Sequence, residues 1–272
     1  MPSSRSNRSL RFWQLALFAG LLLAWHVFTS PTLLPPIYFD NPDKAAFFFG
    51  EPLKVLARIW QWFSSGTIYP HLWVTLVETA LAFIIGTVLG LVMGLWLALS
   101  PTASALFDPY IKALNSMPRV ILAPIFGVWF GLDIASKVAL GVTLVFFIVF
   151  FNVYQGVREV SHTVLANARI LGASDRHLLR HVYVPSAMSW VFASLHNSVG
   201  LAFVGAVVGE YLGSAKGVGY LILQAEGVFD INTVFAGILV LTACALVLDF
   251  IVTKAEARLL VWRPKAAETE AL

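Results

Sequence analysis

Six apolar runs separated by short polar segments dominate the chain. A hydrocarbon core about 30 Å thick needs about 20 helical residues to cross it. The runs cover residues 12–29, 72–99, 107–132, 134–154, 187–212 and 234–252. This pattern predicts an all-α integral membrane protein with six transmembrane helices.

The first run has an alternative interpretation, because arginines precede it as they do in an export signal. The run is longer than a usual signal core, and prolines follow it in place of a small-x-small cleavage site. We therefore expect a retained helix.

The third run is the least regular, since Pro118 and Pro124 should kink it and its clean apolar part begins only after Arg119. Charge placement supports it. With six spans and both termini in the cytosol, 13 basic residues fall inside and 5 outside. The inside set is Arg5, Arg8, Arg11, Lys112, Arg119, Arg158, Arg169, Arg176, Arg180, Lys254, Arg258, Arg263 and Lys265, and the outside set is Lys44, Lys54, Arg58, Lys137 and Lys216. Without the third span, the four arginines from Arg158 to Arg180 would lie outside, against the positive-inside bias.

The segment between the first two runs contains an amphipathic helical pattern. Its apolar face consists of Leu53, Leu56, Trp60 and Phe63, and its polar face of Lys54, Arg58 and Gln61. The pattern favours a helix in the plane of the membrane interface, or one packed on the outer surface of the protein.

Composition agrees with a membrane protein. Apolar residues make up 58% of the chain and charged residues 12%, whereas soluble domains carry about 25% charged residues. The net charge of +3 is too small to indicate nucleic acid binding. Cys244 is the only cysteine, which excludes a disulfide within the chain and a cysteine metal cluster.

Glycines recur at helical spacing in two runs. Gly86, Gly90 and Gly94 form a doubled GxxxG ridge, for which we favour packing within one subunit over a dimer contact. The fifth run is narrow on one side because of its own glycines, which are Gly200, Gly205, Gly209 and Gly213.

The segment from residue 164 to residue 185 is too polar to cross the membrane but has helical features. Gly172 interrupts it, and Ser174 or Asp175 can cap a second short helix over 176–181. Such a helix–turn–helix could be a lever for a partner protein, or a solvated loop lying on lipid headgroups.

This segment resembles the signature loop of bacterial ABC importer permeases, which reads Glu-Ala-Ala, three residues, Gly, nine residues, Ile-x-Leu-Pro. Ala168, Gly172 and the run 182–185 have the matching spacing. Ala166 stands where the family has its glutamate, Asn167 replaces the first alanine, and valines replace Ile and Leu.

The resemblance extends over residues 70–262. The stretches MPRVILAPIFGVWFGL and GEYLGSAKGVGYLI are similar to the branch that imports nitrate, sulfonates, taurine and bicarbonate, some relatives of which take up vitamin precursors. The resemblance implies a type I importer fold in which residues 166–181 form the ATPase-coupling helix. The implied coupling residues are Ala166, Asn167, Ala168, Arg169, Gly172, Ala173, Ser174, Arg176 and Pro185.

The same resemblance implies the partners: two copies of an ATP-binding subunit, a second permease copy and an external solute-binding protein. ATP and Mg would be bound by the ATPase and no cofactor by this chain, whose sequence has no GxxxxGK[ST] phosphate loop. HExxH and GxSxG motifs are also missing from the sequence, which disfavours a membrane enzyme. A secondary transporter is the other alternative, but it would call for internal repeats that the sequence does not show clearly.

Polar groups within the apolar runs are candidates for the translocation pathway, because each is costly there unless it faces water or a partner. They are Glu78, Asn152, His196, Asn197, Ser198, Glu210 and Asp249. We select Asn152, Asn197, Ser198 and Glu210, and expect His196 to hydrogen-bond a neighbouring helix. For Glu210 we favour a structural or gating role, since a carboxylate would repel an anionic solute. Hydrogen bonding between helices is the alternative for the whole group.

These inferences predict a bacterial inner-membrane permease with four regions. They are a cytosolic tail at 1–11, a first helix with an external segment at 12–70, a five-helix core at 71–262 with the coupling loop at 158–185, and a cytosolic tail at 263–272.

Overall fold

The structure is a computed structural model that describes residues 4–30 and 43–259, and regular secondary structure in those ranges is helical throughout. This confirms the predicted all-α class. The helices are α1 (Ser4–Thr29), α2 (Lys44–Phe49), α3 (Pro52–Ser65), α4 (Ile68–Leu99), α5 (Pro101–Ser116), α6 (Ala123–Phe130), α7 (Ile134–Arg158), α8 (His162–Ile170), α9 (Asp175–Leu178), α10 (Val184–Leu212), α11 (Val218–Gly227) and α12 (Ile231–Leu259). The predicted tail at 263–272 and the prolines after the first run lie outside the described residues.

In the part of the chain that the structure describes, five helical stretches are long and apolar enough to cross a membrane. They are Ser9–Thr29, Ile68–Leu99, Ile134–Arg158, Asp175–Leu212 and Ile231–Arg258. A sixth span is present if α5 and the following helix, which are bent by 87°, count as one. Helix α1 begins at Ser4, within the predicted N-terminal tail, and its candidate span is Ser9–Thr29, so the boundary of the tail stays a prediction.

The bend in the third run arises from Pro118. Steric clash with a proline ring disfavours the helical conformation in the preceding residue. Met117 is accordingly extended, with φ −74° and ψ 133°, and it ends α5. A 3-10 turn over Arg119–Leu122 then leads into α6. The kink was predicted, but α5 begins at Pro101, where Ser100 caps it by accepting a hydrogen bond from the Ala103 N–H.

The chain divides into two compact units, of which the first comprises 1–69 and 221–240, and the second 70–220 and 241–272. In the first unit, α3 buries Val55 and Trp62. Its apolar face stays exposed and consists of Leu53, Leu56, Trp60 and Phe63. The predicted amphipathic helix is therefore present, and its place in the membrane interface stays a prediction.

The second unit is built around α7, which packs along α10. The glycine ridge of α4 also packs on α7. A Cβ built on Gly86 would lie 2.7 Å from Val145 Cβ, and one on Gly90 would lie 2.8 Å from the Phe146 carbonyl oxygen. This confirms that the ridge serves packing within one subunit.

Helix α6 runs antiparallel to the first half of α7. Ala123 and Phe126 of α6 share a buried cluster with Leu140 of α7. Further along the pair, the Arg119 guanidinium carbon lies 4.4 Å from the centroid of the Phe147 ring. Arg119, one of the predicted inside charges, therefore lies beside the middle of α7. The predicted distribution of charges between the two sides of the membrane stays a prediction.

The second unit has two opposite ends, each named after a glycine that lies there. The Gly213 end is where α7 begins and α10 ends, and Lys137 there donates hydrogen bonds to the carbonyls of Leu132 and Gly213. The Gly172 end is the opposite one, where α7 ends and residues 159–183 lie.

Candidate functional site

The polar segment at the Gly172 end contains a tight, fully hydrogen-bonded turn after α8. The Ala173 N–H donates to the Ala168 carbonyl at 3.0 Å, and the Gly172 N–H to the Arg169 carbonyl at 2.9 Å. This pair of bonds is the Schellman motif, whose C′ position needs a left-handed backbone. Gly172 occupies that position with φ +82°. The predicted glycine turn is therefore confirmed, and the spacing from Ala168 to Gly172 has a physical basis.

The second half of the segment begins with a capped helix. The Ser174 hydroxyl accepts a hydrogen bond from the His177 N–H, and α9 starts at Asp175. Ser174 is thus the cap, as one of the two predicted alternatives had it. The predicted end at His181 was wrong, since α9 continues through a π-helical turn, Leu179–Tyr183, into α10.

Pro185 accounts for the π-helical turn. It lies in the first turn of α10, after residues that are already helical. Proline has no N–H to donate and its ring clashes with the preceding turn, so a regular α-helix cannot continue through it. One wider turn accommodates the ring without ending the helix. The outcome is a continuous stretch, Asp175–Leu212, that joins the polar segment directly to the fifth span.

The tip of the segment is unusually apolar for an exposed turn. Ile170 is 83% exposed and Leu171 87% exposed. The predicted coupling residues around them are exposed or partly exposed, and these are Ala166, Asn167, Ala168, Arg169, Gly172, Ala173, Ser174, Arg176 and Pro185. The segment is anchored below the tip by Leu178, which is buried.

The four predicted pathway residues do not face one common surface. Asn197 is exposed, whereas Ser198 is fully buried and donates to the Ser194 carbonyl at 2.8 Å. The pairing of Asn197 with Ser198 was therefore wrong, because the rotation of α10 turns Ser198 into the helix packing. Asn152 lies elsewhere, on a cavity of about 420 Å³ shared with Tyr154 and Trp190.

His196 joins two membrane-spanning helices, as predicted. Its Nδ1 lies 2.6 Å from Oδ1 of Asp249, and its Nε2 lies 3.1 Å from Oε2 of Glu256. Both carboxylates belong to α12 and lie about two helical turns apart, so the imidazole connects α10 to two places along that helix. Glu256 was not among the residues singled out from the sequence, because it lies beyond the predicted end of the sixth run.

Glu210 is fully buried and holds the loop after α10 against α4. Its Oε1 accepts a hydrogen bond of 2.5 Å from the Thr75 hydroxyl, and its Oε2 accepts one of 2.6 Å from the Gly219 N–H. Thr75 Oγ1 accepts in turn from the Val218 N–H at 2.9 Å. Gly217 packs so closely on the carboxylate that a Cβ there would overlap it.

Two further ionisable side chains are buried at the same end. They are Glu78 of α4 and Lys137 of α7, each 1% exposed. Lys137 was missed from the sequence because it falls at the start of an apolar run, where it was counted as an external charge. The hydrogen bonds of Glu210 support a structural role for it at the Gly213 end, where a 680 Å³ cavity lined partly by Glu78 and Lys216 opens.

The sequence of this chain is similar to those of known transport proteins. Residues 86–261 match the family described as "Binding-protein-dependent transport system inner membrane component". A Bacillus subtilis permease named for the transport of aliphatic sulfonates is 32% identical over 78% of this chain and 77% of its own length. The formylaminopyrimidine transport permease of Halalkalibacterium halodurans is also 32% identical, over 79% of this chain and 86% of its own.

The fold has a counterpart among solved structures. A chain of the MetNI methionine ABC transporter, in an inward-facing crystal form, superposes with a TM-score of 0.57 at 18% identity. The superposition covers 71% of this chain and 94% of that one. Taken with the family match over more than half of its length, this shows that the chain belongs to the binding-protein-dependent transport system inner membrane components, the permease subunits of ABC importers.

Proposed function

We propose that this permease works in an ATP-driven importer for a small anion, and that residues 162–183 are the docking lever for its ATPase. The observation that carries the docking proposal is the exposed tip of the segment. Ile170 and Leu171 are among the most exposed large apolar residues described. Exposed apolar groups of this kind mark protein interaction sites.

The charges around the tip also suit a protein partner. Arg169, Arg176 and Arg180 are exposed on either side of it. An apolar tip surrounded by guanidinium groups is complementary to a groove with an apolar floor and an acidic rim. A segment that merely lay on headgroups would bury its apolar side chains in lipid, and it would not need the hydrogen-bonded turn at Gly172.

The second half of the proposed lever is continuous with a membrane-spanning helix. The stretch Asp175–Leu212 passes from the docking tip to the Gly213 end, where Glu210 holds the following loop. A displacement of the tip by the ATPase would therefore tilt α10 and reach that loop. This is how ATP-driven closure on one side would be transmitted to the opposite side.

The positive-inside bias supports a cytosolic location for the Gly172 end and for both termini. The Gly213 end then faces the external binding protein, which would deliver the solute there. We propose a homodimer of this chain with two ATPase copies, so that ATP and Mg are bound and hydrolysed on the partner. The permease itself performs no covalent chemistry in this account.

The proposed solute class is a small anion such as a sulfonate, nitrate or bicarbonate. A relative is named for aliphatic sulfonates, whereas another is named for the vitamin precursor formylaminopyrimidine. The test is uptake into proteoliposomes that contain the complete complex with its binding protein. We expect ethanesulfonate to accumulate only when ATP reaches the ATPase. Uptake without ATP would contradict the importer, and ATP-driven uptake of formylaminopyrimidine alone would contradict the proposal that the solute is a small anion.

A further inference from the structure

Arg119 is a cation placed beside the middle of a membrane-spanning helix. Its guanidinium lies over the ring of Phe147, thirteen positions after Ile134 at the start of α7. At 1.5 Å per residue this is about 20 Å along the helix. Since α7 has 25 residues and is about 37 Å long, a hydrocarbon core about 30 Å thick centred on it would contain Arg119.

The fold keeps Arg119 at this depth. It directly follows the break at Pro118, and α6 beyond it is fixed against α7 by Ala123 and Phe126. The 87° bend leaves α5 pointing away from this axis. These contacts hold the Arg119 side chain beside Phe147 of α7.

The guanidinium is only partly satisfied within the protein. Its Nη2 donates to the Asn115 side-chain oxygen and, at 3.4 Å, to the Asn115 carbonyl. Its Nε is buried and has no hydrogen-bond partner within residues 4–30 and 43–259. Among the described residues, no carboxylate pairs with Arg119. A charged group at such depth must face a partner or a water-filled path.

We propose that Arg119 is the anion-recognition residue of the translocation path, where the terminal N–H groups of its guanidinium bind the oxyanion end of the solute. A guanidinium offers a planar fork of donors that matches carboxylate, sulfonate or nitrate oxygens. Asn115 and the Phe147 ring hold the group in place, and Nη1 makes no hydrogen bond to the residues that the structure describes. The inference rests on the proposed function in that the bound anion is the imported solute.

The test labels one introduced thiol, which is possible because the chain has a single native cysteine to remove. Cys244→Ser removes it, and Met117→Cys then places one thiol two residues from Arg119, at a partly exposed position. In the complete complex in nanodiscs, the labelling rates of an anionic and a cationic methanethiosulfonate reagent are compared. Because a local cation concentrates anions, we expect Arg119→Gln to lower the anionic-to-cationic rate ratio at least about fivefold.

The matched control is Arg258→Gln, which removes the same charge from the last turn of α12 and should leave the ratio unchanged. Failure of both reagents to label the introduced thiol, or a ratio that Arg119→Gln does not alter, overturns the proposal. These measurements need neither ATP nor transport, so they can fail or succeed independently of the uptake test.

A protection experiment distinguishes a free anion from a lipid phosphate as the occupant. Sodium ethanesulfonate or sodium nitrate, compared with sodium gluconate at equal ionic strength, should slow the anionic reagent at least about threefold when Arg119 is present. It should have no such effect in the Arg119→Gln variant. A ratio that depends on Arg119 but shows no protection by either salt would assign the guanidinium to a lipid headgroup and overturn the proposal.

Discussion

The backbone N–H of Gly219 donates a hydrogen bond of 2.6 Å to Oε2 of Glu210, and so ties the start of α11 to the last turns of α10. The acceptor is a buried carboxylate within a membrane-spanning helix, where an unsatisfied group is costly. The loop between these two residues is therefore held by the helix end that the proposed lever would move.

The first prediction concerns the close contact between Gly217 in this loop and the Glu210 carboxylate. Gly217→Ala should disrupt it, because Gly217 has φ +114° and a Cβ would overlap the carboxylate. We expect a loss of about 1–3 kcal/mol in stability and reduced transport, measured by thermal unfolding of the complex and by uptake. Gly200→Ala is the control, since a Cβ there meets nothing within 4 Å. Equal stability of the two variants would contradict the described contact.

The second prediction concerns the α4–α7 contact. Gly90→Ala places a Cβ 2.8 Å from the Phe146 carbonyl oxygen and 2.8 Å from Val149 Cβ. Backbone atoms cannot yield as a flexible side chain can, so we expect a loss of about 1–3 kcal/mol. Thermal unfolding should show it, with Gly20→Ala in α1 as the tolerated control. An unchanged midpoint for Gly90→Ala would argue that the helices do not approach this closely.

The third prediction separates conformation from contact at Gly172. Nothing lies within 4 Å of a Cβ at this position, so only the left-handed backbone should limit substitution. Asparagine tolerates that conformation, whereas valine is strained in it by roughly 1–2 kcal/mol. Gly172→Asn should retain ATPase co-purification and uptake, and Gly172→Val should weaken both. Normal coupling by the valine variant would remove this turn from the proposed lever.

The fourth prediction concerns adjacent residues of α10 with opposite surroundings. Ser198→Leu should lower thermal stability, because the site is fully buried and the hydroxyl is bonded within the helix. Asn197→Leu should leave stability unchanged, since its side chain is exposed. If the exposed amide lines the path, only Asn197→Leu will reduce transport by a folded complex. Loss of stability in both variants would argue that Asn197 packs against a partner chain.

The sequence was a good guide to features that depend on local chemistry. Apolar runs located the spans, Pro118 located the bend, and Gly172 located the turn, because backbone sterics decide each of these. Features that depend on tertiary packing were not predictable. The position of Arg119 beside Phe147 follows from the pairing of α6 with α7, and the burial of Ser198 follows from the rotation of α10 about its axis.

The central claim is that the exposed tip of the polar segment docks an ATPase in the cytosol, and one introduced thiol tests it directly. Leu171→Cys, in a Cys244→Ser background, places that thiol at an 87% exposed position. In inside-out vesicles we expect a membrane-impermeant maleimide to label it when the permease is expressed alone, and the co-expressed ATPase to protect it. In intact cells it should not be labelled. Labelling of the Leu171→Cys variant in intact cells, or equal labelling with and without the ATPase, would contradict the account.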